Sequence, residues 1–452
     1  MKVRKMKRLR ILILALCVCL IAGVAETLNM VDAYGEGEEG MTVTAHTHCI
    51  CGDTNCTDTG HNKVPFNKVL TSNDSGELLY KGTGTKVTID SGDYILPAGN
   101  YSLGDNVAVS NTIKITGTVN LCLNGKELKW NSEKYPESII EISSNATLNI
   151  CDCQGNGIVE NSQTDDSINK KNTIFINGGG ILNLYNGKIS RTGGSYGAAV
   201  YLENNSLKDS LAAKFNMYGG EVYNITTQLN SSAINTGSGS GSYEINICAG
   251  IVCCQGGVGV GTFYSGNAKT IIAGGTIQGD YAALKILGDV TLSGNPIIQC
   301  LKPQNEADIK ITTTNVAGSK NDYLTIEEDF GLETGKAISI DKAVGESGNV
   351  VIAQPKTRES NIELESKAQY FVSAQEGYFV GCNDEGNLQL TACKITQQPT
   401  TENNCTVNAN GSAGKVEYKW YNVTKGDVPV TNNNVIAAGE WRYSHGWGDW
   451  SY

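Results

Sequence analysis

A chain of 452 residues has room for two or three domains and a sizeable core. Charged side chains make up only 18%, Gly numbers 53, and aromatics are few apart from 20 Tyr, a balance that favours strands and turns. The formal net charge of −11 excludes the basic footprint that a nucleic-acid partner demands.

The first ten residues carry six basic side chains, and Ile11 to Val24 is an unbroken apolar run. A basic stretch followed by an apolar one of that length reads as a secretory signal, too short for a comfortable membrane span. Cleavage after Ala33 is preferred to cleavage after Ala25, so residues 1–33 are assigned to the signal. Leu16 and Val18, ahead of Cys17 and Cys19, are not the small residues a lipoprotein needs. No later apolar run reaches membrane length and no wall-sorting signal is seen. The expected location is therefore secreted or at the surface of a Gram-positive-type bacterium, with no transmembrane anchor. Of fifteen cysteines, thirteen follow the signal, an odd number spread over a large domain. An oxidising compartment would pair them; scattered free thiols fit an anaerobic habitat.

Residues 34–79 read as a disordered segment, Gly- and Glu-rich at its start, that holds a dense Cys/His element over 46–61: His46, His48, Cys49, Cys51, Cys56 and His61. Imidazole and thiolate are the ligands zinc prefers, and a loop containing Gly and Asn can fold four of them into a tetrahedron. Six candidates for four places leave the set open. Two plainer readings stand beside it, a disulfide between two of Cys49, Cys51 and Cys56, or histidines that are merely polar. A structural zinc predicts about one ion per chain. The order His46-x-His48-Cys49-x-Cys51-Gly52 resembles an HxHCxCG element of exported proteins of Gram-positive gut anaerobes, where it precedes a β-rich surface domain.

Over 80–300 an apolar phrase repeats: apolar, any, apolar, a Gly- or Asn-bearing turn, then apolar again. It reads Leu121, Leu123, Leu128; Leu182, Leu184, Ile189; Phe215, Met217, Val222; Ile245, Ile247, Val252; Ile272, Ile277; and Val290, Leu292, Ile297, with a looser copy at Leu148 and Ile150. Gly187, Gly220, Gly250, Gly275 and Asn295 stand where the bend requires positive φ. A second apolar strand precedes each copy, as at Ile113 and Ile115, Ile140 and Ile142, Ile174 and Ile176, and Val200 and Leu202. Strands of constant length joined by elastic loops mark a solenoid. One coil buries too few side chains to offset the entropy of ordering its residues, so neighbouring coils must share a core and the ends must be capped. The pattern resembles the right-handed parallel β-helix of the pectin-lyase-like superfamily, of the non-catalytic kind in large surface proteins of gut Firmicutes. That resemblance implies an all-β fold much more strongly than an activity.

Over 301–393 the phrase lapses while strands continue, which is read as irregular last coils and a C-terminal cap. At 394–452, an Ile395-Thr396 entry with Pro399 and the strand Tyr418-Lys419-Trp420-Tyr421 resemble a bacterial Ig-like module, too short to be whole.

Catalysis on such a scaffold would use carboxylates around calcium with a basic residue, or paired acids. Asp165 and Asp166 are the adjacent acid pair of the repeat region and Arg191 its one arginine. All three sit in stretches that read as solvated loops. Tyr185, Tyr218 and Tyr223 on successive turns could form a strip that receives sugar rings, and Asn149, Asn183, Asn216 and Asn246 read as a hydrogen-bonded ladder. The expected function is binding or adhesion through a β-helix face, with an extracellular glycan or surface protein as partner. The enzyme reading, a polysaccharide lyase or hydrolase, and a spacer role are the alternatives.

Overall fold

The computed structural model describes residues 46–53, 56–57, 63–131, 138–162, 172–193, 196–204, 211–262, 267–302, 306–312, 323–345, 348–356 and 361–392, and further on the backbones of strands within 394–444. Each coil supplies three short strands. From Thr118–Cys122 the chain turns into Glu127–Trp130, then Ser138–Ile142, and returns to Thr147–Cys151, which lies parallel on Thr118–Cys122. Repetition of this circuit builds three sheets of 14, 8 and 12 strands among the described residues, in which parallel neighbours are one coil apart. The described chain is thus a parallel β-solenoid, nearly all β. Its one α-helix among the described residues is Asn361–Lys367.

Side-chain alternation places the apolar phrase inside. In the first sheet Leu148, Leu182, Phe215 and Ile245 stack in register, and Ile150, Leu184, Met217 and Ile247 form a second buried column. The third sheet stacks Ile113, Ile140, Ile174, Val200 and Ile234 in the same way. One apolar core cluster runs from Leu70 to Leu390, and Ile309, Leu324 and Ile338 belong to it together with Ile298.

Two copies of the phrase sit in a different register from the one read by spacing. Leu121 aligns with Ile150 and Val119 with Leu148, so the first copy begins at Val119 rather than Leu121. In the last copy Ile298 is buried and Ile297 is 51% exposed. There Gly294, not Asn295, takes the left-handed conformation, at φ 58°. The turn before Ile297 is one residue longer than those after Leu184, Met217, Ile247 and Ile272, and it shifts the inward position by one.

Gly187, Gly220, Gly250 and Gly275 all adopt positive φ, as the bend requires. At Gly220 the need is twofold: φ is 75°, and a Cβ would stand 2.5 Å from the carbonyl oxygen of Gly187 in the coil beneath. Gly220→Ala therefore destabilises the stack by about 2–4 kcal/mol, combining a left-handed alanine with a backbone clash. Urea denaturation checks this, and a loss within error of zero would show that the coils can slide apart locally.

Antiparallel pairs close both ends of the first sheet. Lys68–Ser72 receives Leu78–Tyr80 at one end, and Asn349–Pro355 receives Leu388–Ala392, itself paired with Tyr378–Cys382, at the other. Such hairpins cover edges that would otherwise template association. Further on, Lys394–Gln397 pairs antiparallel with Thr406–Asn408, and Lys419–Asn422 with Val428–Pro429 and Trp441–Ser444.

Candidate metal centre

Ahead of the stack, His46–Cys49 and Lys63–Phe66 form an antiparallel hairpin with His46 opposite Phe66 and His48 opposite Val64. Strand alternation puts His46 and His48 on one face. Their rings stack on each other at 5.0 Å and on Phe66 at 5.5 and 4.4 Å. Phe66 is fully buried against Cys122 and Cys151, which project outward from the first sheet one above the other. The hairpin is thereby laid on the outside of two successive coils.

This docking brings together residues far apart in sequence. His46, His48, Cys122 and Cys153 each offer a ligand atom, all within 4.8 Å of one another. His48 Nε2 lies 3.2 Å and His46 Nε2 3.4 Å from Cys122 Sγ, and Cys122 Sγ lies 3.6 Å from Cys153 Sγ. A zinc tetrahedron with bonds of about 2.0–2.1 Å to nitrogen and about 2.3 Å to sulfur has edges of about 3.3–3.8 Å. The three measured edges are close to that range.

The surroundings favour ligation. His48 Nδ1 donates to the Cys49 carbonyl at 2.6 Å, which fixes the ring with Nε2 aimed at Cys122. Burial disfavours charge on His48, but its bonds to Cys122 and to the Cys49 carbonyl outweigh this and raise its pKa above the usual imidazole value. The Cys122 thiol is held far below the ordinary range by its contact with Cys151, against burial, and by both imidazoles. Cys151 is pushed up in return by the same contact. A thiolate facing two imidazoles is ready for a cation.

Cys153 is aimed by its neighbour. The Asp152 carboxylate is buried and accepts backbone amides from Gly125 and Gly157, each at 2.6 Å, and from Gln154 at 3.3 Å. Asn186 ties down the Asp152 backbone from the next coil, donating to its carbonyl at 2.8 Å. Gly52 fits onto this same corner: at φ 84°, its Cβ position is 2.7 Å from Asn186 Nδ2 and 2.8 Å from the Asp152 carbonyl oxygen.

The sequence candidates therefore divide. His46 and His48 join the mixed group, with two coil cysteines that the spacing argument missed. Cys49, Cys51 and Cys56 form a separate set whose ligand atoms also lie within 4.8 Å of one another. The Cys49 thiol is pushed up to about 12 by burial and by Cys51. His61 lies outside the described residues. None of the three cysteines of the element is in a disulfide in this structure, nor is Cys122, Cys151 or Cys153.

The other candidates do not converge. Tyr185 and Tyr218 stack at 5.1 Å on the first sheet. Tyr223 belongs to the second sheet, where Gln255 Nε2 donates to its hydroxyl at 2.9 Å and Lys188 Nζ stands 4.7 Å from its ring. Arg191 does not occupy a solvated loop. It is 3% exposed at the end of Lys188–Thr192, and its guanidinium donates to Asn224 Oδ1 at 3.1 Å and to the Tyr196 carbonyl at 3.0 Å. The reason is its place at an inner corner of the coil, where a stack of Asn161, Arg191 and Asn224 takes up turn carbonyls. Asp165 and Asp166 lie outside the described residues.

The fold and this cluster define a class, a parallel β-solenoid carrying a His/Cys group fit for a metal ion. Comparison with known proteins gives no match to a family model, a curated protein or a solved structure.

Proposed function

We propose that the chain is an exported scaffold of the right-handed, pectin-lyase-like kind, with an Ig-like module behind it, that binds an extracellular glycan or surface protein through the outer face of its first sheet. The observation that carries this reading is a ladder of side-chain amides. Asn100, Asn120, Asn149, Asn183, Asn216 and Asn246 face outward on successive coils, each Nδ2 donating to the Oδ1 before it at 2.7 or 2.8 Å. At about 4.8 Å per coil the strip is about 24 Å long. Its own side chains are neutral amides, and the ion pair beside it, Lys214 with Glu244, carries no net charge, which suits a neutral sugar chain. Tyr185 and Tyr218, stacked on each other, follow the strands that carry Asn183 and Asn216, and Tyr185 also packs against the Phe66 cluster.

A structural zinc at His46, His48, Cys122 and Cys153 pins the hairpin to this scaffold. Four protein donors with no place kept for substrate are the mark of a structural rather than catalytic ion. The lyase or hydrolase reading has less support, since Arg191 is committed to buried hydrogen bonds. Among the described residues no helix is long and apolar enough to cross a membrane.

A glycan array tests the binding reading. Retention of a neutral polysaccharide is expected, weakened about 3–10-fold by Tyr218→Ala, which corresponds to an aromatic contact of about 0.5–1.5 kcal/mol. Retention of no glycan at all would leave the spacer role, and turnover of a uronic-acid polymer abolished by Arg191→Ala would restore the enzyme. Metal analysis tests the clasp: the doubly substituted His46→Ala, His48→Ala chain should lose one zinc relative to the parent.

A further inference from the structure

The three cysteines left over from the first group share a feature that the clasp does not use. His46 and His48 alternate with Thr47 and Cys49 along one strand, so the thiol of Cys49 leaves the strand on the face away from the imidazoles. It is nonetheless buried. A tight turn follows, closed by the Gly52 amide donating to the Cys49 carbonyl at 2.9 Å, with Gly52 at positive φ. That turn folds Cys51 back over Cys49. The Cys51 amide points at Cys49 Sγ at 3.4 Å, and the two sulfurs are 2.9 Å apart. Cys56, placed by a second turn in which its amide donates to the Asp53 carbonyl at 3.3 Å, completes the set.

We propose that Cys49, Cys51 and Cys56 hold a second metal ion, a soft cation of closed d shell such as Zn(II) or Cd(II), separate from the one at His46, His48, Cys122 and Cys153. This deepens the metal reading of the same element and rests on it. The donor set decides the class of ion: three sulfurs with no imidazole or carboxylate among the described donors select thiophilic metals. Binding replaces thiol protons by the cation and consumes no oxidant. A Cys49–Cys51 disulfide, in contrast, would release two electrons to an acceptor.

The test uses the full chain, reduced, stripped of metal and reloaded with Zn(II) or Cd(II). Two zinc ions per chain are expected. Cys51→Ser with Cys56→Ser should halve the content, and His46→Ala with His48→Ala should halve it by removing the other ion. The Cd(II)-loaded chain should show thiolate-to-metal charge-transfer absorption that the cysteine pair removes in larger part than the histidine pair. A parent chain that holds one zinc, unchanged by the cysteine substitutions, overturns the proposal. So does a parent chain that lacks two thiols before reduction and gains no second ion after it. Content lowered by the cysteine pair but unaffected by the histidine pair would support the three-sulfur site and refute the clasp, so the two failures are distinguishable.

Discussion

Cys122→Ser releases the N-terminal hairpin from the stack and leaves the coils folded. The hairpin has little apolar surface of its own to hold it: Phe66 covers Cys122 and Cys151 in a cluster separate from the main core, with Val64, Cys153 and Tyr185 at its margin. The proposed metal, held by residues of the hairpin and of two coils, would supply what that small cluster lacks, since structural zinc contributes folding free energy directly. Cys122 lies at the centre of the group, within 3.2–3.6 Å of both imidazoles and of Cys153. Its loss should weaken zinc binding by more than the roughly 10–100-fold that removal of an outer partner costs. Hydrogen exchange reads the consequence. The amides of the His46–Cys49 and Lys63–Phe66 ladder should lose protection, whereas those of Leu148, Leu182 and Ile245 keep theirs. A chelator should do the same to the parent chain. Unchanged hairpin protection in both experiments would mean that packing alone holds it, and the clasp would be superfluous.

The coil positions were legible in the sequence because alternation and glycine placement report the same thing twice. Leu182, Leu184 and Ile189, followed a coil later by Phe215, Met217 and Val222, are inward in the structure, and Gly187 and Gly220 bend as their spacing implies. Register failed where the pattern was degenerate. Val119, Leu121 and Leu123 alternate through three apolar places, all buried, so spacing fits equally well one step along the strand; only pairing with Leu148 and Ile150 decides. At Ile297 and Ile298 two adjacent isoleucines offered either choice, and a longer turn selected the second.

The metal group was half legible. His46 and His48 stand out by their rarity, but Cys122 is 74 residues from His48, and no local spacing connects them. A signal did exist: Cys122 and Cys151 each follow the inward pair of a coil, so the solenoid register alone stacks them. What the sequence could not supply is the place where the hairpin lands. That is set by Phe66 and by the fit of Gly52 against Asn186 and Asp152, contacts with no periodicity. Arg191 misled for the opposite reason. Its Ser- and Gly-rich neighbourhood resembles a solvated loop, but at an inner corner small residues leave room for a guanidinium that takes up turn carbonyls.

Phe215→Ala should split the stack. The ring is fully buried between Leu182 and Ile245, its partners in the coils on either side. Removing it costs about 3–5 kcal/mol from lost transfer and the cavity left behind. In a globular core such a loss lowers one transition. In a solenoid each coil touches only its neighbours, so stability is a chain of nearest-neighbour terms, and a weakened central link uncouples what lies on its two sides. Thermal unfolding of the variant should therefore broaden or resolve into two steps. Hydrogen exchange should show amides around Phe215, from Ile181–Leu184 to Tyr243–Ile247, opening at lower free energy than those of Gly99–Leu103 or Asp289–Leu292. A single sharp transition with protection lost evenly from end to end would show the coils to be coupled well beyond their neighbours. The one-dimensional account of this fold would then have to be replaced by one in which the whole stack orders as a unit.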